Sequence, residues 1–485
     1  MKVPIFVGRK RELATMESLY SSSSFEMLVL YGRRRVGKTA LIEEFAKNKN
    51  VLYFTAQLQA DADNLFDFSH MVIARFDLPE STPPFASWVD AFAFISDRAR
   101  ENRLVVVIDE FPYACKSNPG LSSTLQISIN RYFKSTNIFL ILCGSDQGFM
   151  ESEVLGEKSP LYGRRTAQIK LKPFDFIEAA RMMPDCSPED KMSYYASLGG
   201  TPYYLEGIKD DLSYSENMAA LYFSPTGRMF DEPSMLMRQE LREPLVFSSV
   251  MRAIASGANK HVQIANAVGI SQGSLGFYLK SLVSLGLIEK IVPFGESERS
   301  KRGIYRICDP AFLFWYRFVA PYASVVEKGL GRNLAVRLLS DSSERRSEYE
   351  GHLFEHICAE WLIRQGIAHR LPLEMTAIGS WWRADPVTHQ TCDIDIVAAD
   401  DLDKKLLVGE CKWRNSINET KVLETLSDRC RLIPGYHVYE RYLFTKHPVS
   451  KATRTHAASD TQLHLISVDD FLQIFKTHIA AFSYR

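Results

Sequence analysis

The sequence predicts an α/β chain built on a parallel sheet, and two observations carry that reading. Strand-length apolar runs, MLVLY (27–31), VLYF (51–54), LVVVID (104–109), IFLILC (138–143) and AQIKL (167–171), alternate with amphipathic, helix-like stretches. Strands that alternate with helices form parallel sheets covered on both faces. The segment GRRRVGKT, Gly32 to Thr39, directly follows the first of these runs and precedes the helix-like ALIEEFAK. A glycine-containing loop between a strand and a helix N-terminus is suited to hold phosphate.

Length and composition bound the rest. At roughly 150 residues per domain, 485 residues make about three domains. Hydrophobic residues are 46% and charged residues 24%, an ordinary globular balance. Basic and acidic residues number 58 each. This excludes a uniformly basic nucleic-acid coat but leaves room for a local basic patch. No apolar run approaches the ~20 residues of a membrane span, and MKVPIFVGRK lacks the apolar core of a signal peptide. The eight cysteines include no CxxC pair, so neither a zinc ribbon nor a disulfide framework is indicated. A cytoplasmic, reducing setting without membrane contact is expected.

The nucleotide site is read element by element. Gly32, Arg33, Arg34, Arg35, Val36, Gly37, Lys38, Thr39 and Ala40 form the loop and the first turn of its helix. Their backbone N–H groups would cradle ATP phosphates, with Gly37 leaving room for close approach. Lys38 would reach the β- and γ-phosphates, and Thr39 would offer its hydroxyl to Mg²⁺. LVVVIDEF puts Asp109 and Glu110 at the end of a buried strand, a costly position for two carboxylates without a task. Asp109 would hold Mg²⁺ through water, and Glu110 would activate the attacking water. The strand IFLILCGSD ends near Ser145, which is read either as a contact to the γ-phosphate or water, or as a plain turn.

FVGRKREL, GRRRVGKT, VVVIDEF, LILCGSD, SPLYGRRTAQIKLKPF and LGGTPYYL occur in this order. Together they resemble the archaeal-type ATPases of the AAA+ superfamily, a clade related to the origin-recognition and signal-transducing ATPases. The resemblance implies that Phe6, Val7, Gly8 and Arg9 lie near the adenine. It implies that Gly200 and Pro202 sit in a lid near the nucleotide. It also implies that Arg164 or Arg165 is a finger facing a neighbour's γ-phosphate, so that ATP promotes self-association. The chain departs from the family in lacking a clear sensor-2 arginine and in carrying Asp146 where relatives often have serine.

The ATPase core is expected over 1–175 and a helical lid over 176–244. Residues 245–310 carry three helix signals, joined at Gly269–Ser271, and then two strands around a polar tip, the pattern of a winged helix-turn-helix. Leu275, Leu279, Leu282 and Leu285 fall on its core face. Ser271, Gln272, Ser274, Tyr278 and Lys280 would face DNA bases, and Arg299, Lys301, Arg302 and Arg306 its phosphates. A packing or protein-interaction role for this module stays open. An aromatic, helical stretch follows over 311–348, its polar end DSSERRSE read as a linker.

Residues 349–485 carry a second constellation. Glu355 lies on an amphipathic helix, Asp395 on the strand DIDIVAAD, and Glu410 and Lys412 on LLVGECKW, fifteen residues beyond Asp395. Strand alternation places Glu410 and Lys412 on one face. Asp395 and Glu410 side by side would repel unless a divalent cation lay between them. Lys412 would position or help deprotonate a water. The ordered set resembles the PD-(D/E)XK nuclease fold, a restriction-endonuclease-like α/β domain, with Glu355 matching the helix acid of its Holliday-junction-resolvase-like branch. The resemblance implies Mg²⁺ or Mn²⁺ at Glu355, Asp395 and Glu410. The reading is a Mg-ATPase of AAA+ type acting on DNA. Its alternatives are an ATP-driven assembly switch and a DNA-binding regulator with an inactive C-terminal domain.

Overall fold

The computed structural model describes residues 6–384 and 391–472. The chain divides into two units: Met1–Pro173 with Thr201–Tyr203, and Phe174–Gly200 with Tyr204–Arg485.

The first unit is a five-stranded sheet of β1 (Glu26–Tyr31), β2 (Val51–Thr55), β3 (Leu104–Asp109), β4 (Ile138–Gly144) and β5 (Ala167–Lys170), in the order β2-β3-β4-β1-β5. Every neighbouring pair is parallel. β3 and β4 are buried along their whole length, which their unbroken Val/Ile/Leu runs require. Alternation divides the side chains between two cores. Val29, Val106 and Leu140 face Phe68, Trp88 and Phe92. Leu28, Val105 and Ile141 face Leu41, Ile42 and Phe45. Each such burial contributes roughly 1.5–3 kcal/mol.

The second unit begins with helices. Pro188–Leu198 starts at Ser187, whose side chain accepts from the Asp190 N–H. Gly200 follows it because a Cβ there would stand 1.7 Å from the Phe174 carbonyl oxygen. Three helices, Pro244–Ala255, His261–Val268 and Gln272–Ser284, precede the antiparallel pair β6 (Ile288–Ile291) and β7 (Ile304–Ile307). Leu275, Leu279 and Leu282 are buried as the helical period requires, while Leu285 closes the last helix as its C-cap. Phe312, Phe314, Trp315, Tyr316 and Phe318 are buried in the aromatic stretch that follows.

The expected linker is folded. Ser343 caps a helix running Glu344–Ile367. Arg346 is buried within it, donating to Glu350 at 2.8 Å and to Asp341 at 2.7 Å. The polar composition of DSSERRSE reflects a cap and a buried ion pair, not a solvated connection.

The C-terminal sheet comprises β8 (Ala377–Ala384), β9 (Thr391–Asp400), β10 (Lys405–Lys412), β11 (His437–Thr445) and β12 (Leu463–Ser467), in the order β12-β11-β10-β9-β8. It is mixed: β8–β9 and β9–β10 are antiparallel, β10–β11 and β11–β12 parallel. Helix Glu419–Cys430 packs Leu426 and Cys430 against Ile394, Val397 and Val408. Phe354 and Trp361 of the long helix stack on Phe471. The β6–β7 loop docks on β8: the Phe294 N–H donates to Ser380 O at 2.8 Å, and Arg302 donates to Trp382 O. An edge strand is covered in this way. Among the described residues no helix is long and apolar enough to cross a membrane.

Candidate functional site

The nucleotide loop leaves the C-terminal end of β1. A Cβ at Gly32 would lie 2.3 Å from the Leu171 carbonyl oxygen, and Gly37 has φ +91°, which glycine alone adopts freely. Lys38 is buried and donates to Gly32 O at 2.8 Å and Arg33 O at 3.2 Å. The ammonium thus lies inside the curve of its own loop. Thr39 and Ala40 are exposed at the helix start. Arg9 is buried and donates to Val36 O at 2.9 Å. Phe6 packs on the core beneath the loop helix, and Val7 and Gly8 are half-buried. Thr201 and the start of the helix Pro202–Leu205 meet the same loop. Arg33 donates to Thr201 at 3.2 Å, Pro202 is the nearest neighbour a Gly37 Cβ would meet, at 3.8 Å, and the Arg35 guanidinium lies 4.6 Å from the Tyr203 ring centroid. Arg34 donates to Tyr113 Oη at 2.7 Å.

Asp109 is buried at the end of β3. Its Oδ1 accepts from the Glu110 N–H at 2.9 Å, and its Oδ2 from Tyr53 Oη at 2.7 Å. Thr39 hydrogen-bonds the same phenol, whose pKa burial and Asp109 push far above the usual range. Tyr53 therefore links the two residues expected to hold Mg²⁺. Nothing in VLYF signals this, because the contact exists only once β2 pairs with β3. Ser145 has a partner that the sequence did not signal. Its Oγ lies 2.9 Å from both Glu110 carboxylate oxygens, because β4 neighbours β3 and ends opposite Glu110. Arg164 and Arg165 stand just before β5, where the register pairs Ala167 with Leu28. By that register Arg165 is level with Glu26 at the start of β1, while its charge acts on the Tyr31 phenol at the other end of the strand.

In the C-terminal sheet, Gly409 pairs with Ile396, which puts Glu410 beside Asp395. Asp395 Oδ2 accepts from the Cys411 N–H at 2.8 Å. Lys412 Nζ lies 2.5 Å from Glu410 Oε1 and 3.9 Å from Asp395 Oδ2. Burial, then Glu410 and Glu355, push the Asp395 carboxyl up to about 8. Burial opposes the Lys412 charge, but Glu410 and Asp395 outweigh it and raise its pKa. A raised Lys412 pKa favours the positioning alternative among its two expected roles. Glu410 Oε2 is buried and has no hydrogen-bond partner. An orphaned carboxylate oxygen beside a second acid fits a divalent ion. Glu355 does not complete the set: it pairs with His352 Nδ1 at 3.6 Å, and among the described residues no group of three or more His, Cys, Asp and Glu could hold a metal ion. Arg429, which the sequence motif does not signal, lies 3.2 Å from Asp393 and 3.9 Å from Glu410.

The winged-helix expectations are partly displaced. Gln272 and Lys280 are exposed, but Ser271 caps its helix and Tyr278 donates to Glu243 at 2.6 Å. On the wing, Arg302 pairs with Glu296, and Arg306 with Glu289 at 2.6 Å, while Arg299 and Lys301 are exposed.

Residues 6–208 match the family described as an ATPase domain predominantly from Archaea, and 315–423 match one described as archaeal and bacterial proteins of unknown function. An uncharacterised protein of Methanocaldococcus jannaschii is 32% identical over 445 residues, covering 90% of this chain and 94% of the relative. The chain belongs to this archaeal-type ATPase family. An uncharacterised ATP-binding protein of the same organism is 45% identical over 49 residues, 10% of this chain and 83% of its own. Among solved structures, the Walker-type ATPase of Pyrococcus abyssi aligns at 18% identity and TM-score 0.48, covering 64% of this chain and 96% of its own. ORC2 of Aeropyrum pernix aligns at 15% and 0.43, covering 70% and 96%. In this family ATPase, ATP is the ligand the domain implies. Lys38, Thr39, Asp109, Glu110 and Ser145 form one cluster at the end of the sheet where the loop emerges.

Proposed function

We propose that this ATPase hydrolyses Mg-ATP, assembles with copies of itself, and acts on DNA through a metal-dependent acid site in its C-terminal domain. The hydrolytic half rests on Glu110, fixed by Ser145 at the mouth of the Lys38 loop. Lys38 and the loop N–H groups bind the phosphates, and Glu110 orients water and takes its proton. Mg²⁺ supplies charge neutralisation on the phosphates when bound, with Thr39 and Asp109 as its protein partners. The AAA+ resemblance puts Arg164 or Arg165 in service to a neighbour's γ-phosphate. Light scattering of the Glu110→Gln chain with ATP should reveal a larger species that Arg164→Ala/Arg165→Ala abolishes. A strict monomer would refute assembly.

The observation that carries the DNA-cleaving half is the orphaned Glu410 Oε2 beside Asp395 and Lys412. It supports the PD-(D/E)XK resemblance. Asp395 and Glu410 would hold a divalent ion, which would supply stabilisation of phosphoryl charge. Lys412, protonated, holds an anionic oxygen in place. Linear, branched and single-stranded DNA with Mg²⁺ or Mn²⁺ should be nicked or cut, and Asp395→Ala or Lys412→Ala should abolish this while ATP binding survives. Intact substrates throughout, with no Mn²⁺ binding by calorimetry, would leave the assembly switch as the function.

A further inference from the structure

A cavity of about 750 Å³ lies between the wing, the long helix Glu344–Ile367 and the β8–β9 pair. Its walls differ in chemistry. Lys260, Lys301 and Arg317 line it from the winged helix and the aromatic stretch, and Trp382, Glu355 and Asp395 from the C-terminal domain. The docking of Phe294 on Ser380 and of Arg302 on Trp382 O holds these walls together. The wing therefore forms one side of a cleft.

Cations beside an indole ring are the combination that holds a phosphate backbone and stacks a base. A space of this size matches a ligand of small-molecule dimensions, on the scale of a few nucleotides of one strand. We infer that this cavity receives an unpaired nucleic-acid strand and delivers its backbone to Asp395. This rests on the reading of Asp395 and Glu410 as a hydrolytic site, and it adds the substrate form and the entry route.

The test is binding of fluorescein-labelled oligothymidine to the full chain by anisotropy, in EDTA so that no cleavage occurs. Lys260→Glu/Lys301→Glu and Trp382→Ala should each weaken binding about tenfold or more, with ATP binding unchanged as the check on folding. A blunt hairpin of the same length should compete at least about tenfold less well. Unchanged affinity in both variants, or equal competition by the hairpin, overturns the inference. The two readings fail separately. Cavity-dependent strand binding without cleavage in Mn²⁺ removes the hydrolytic reading alone. Asp395-dependent cleavage that the cavity variants leave intact removes the cavity reading alone.

Discussion

Ser145 Oγ stands 2.9 Å from each carboxylate oxygen of Glu110, and its N–H lies 3.4 Å from Oε2. The serine therefore sets where Glu110 points, with the backbone of Glu110 itself in the left-handed region at φ +50°. Hydrogen bonds to a charged group contribute about 1.5–3 kcal/mol. Ser145→Ala is expected to lower ATP turnover roughly tenfold with little change in KM, and Glu110→Gln about 100-fold or more. Steady-state phosphate release measures both. A Ser145→Ala chain that turns over at the wild-type rate refutes the positioning role.

Tyr53 predicts a Mg²⁺ phenotype. Its hydroxyl donates to Asp109 at 2.7 Å and also bonds Thr39. Tyr53→Phe leaves the ring and removes about 1 kcal/mol of hydrogen bonding. The Mg²⁺ concentration that half-saturates turnover should shift severalfold, while nucleotide binding in EDTA stays constant. Equal shifts in both would place Tyr53 in general packing.

Arg346 and Glu350 predict a stability effect in the second unit. Arg346 also donates to Ser193 at 3.0 Å and to Leu339 O at 2.9 Å, and Trp413 donates to Glu350 at 2.8 Å. Removing one partner of a buried pair costs about 3–5 kcal/mol. Glu350→Ala should unfold this unit at markedly lower urea. Arg346→Met/Glu350→Leu, which leaves no buried charge, should recover much of the loss.

Asp395 predicts a pH dependence in the metal-free chain. Its carboxyl keeps a proton up to about 8 in the fold, against ~3.9 unfolded. Between those values the folded state binds more protons than the unfolded state, so stability falls as pH rises. Melting temperatures should drop from pH 5 to pH 8. Asp395→Asn should reduce that slope, and Mn²⁺ should raise the wild-type melting temperature more at pH 8 than at pH 5. An identical slope in Asp395→Asn would deny the raised carboxyl.

The sequence alone determined what is local. GRRRVGKT declared its loop because strand, glycines and helix are contiguous, and burial of LVVVID and IFLILC followed from unbroken apolar runs. The spacing of Asp395, Glu410 and Lys412 was legible because strand alternation is a two-residue rule. What joins distant segments was decided by tertiary structure. Ser145 meets Glu110 because β4 lies beside β3, and Tyr53 meets Asp109 because β2 lies on β3's other edge. The resemblance made Glu355 a ligand candidate, and only the packing shows that it pairs with His352 and acts on Asp395. Two wing arginines expected at phosphates, Arg302 and Arg306, also form ion pairs, and Arg302 docks on β8. Periodicity fixes which face of an element a residue occupies. Which partner that face meets depends on packing among elements far apart in the chain, where burial and charge pairing select one arrangement.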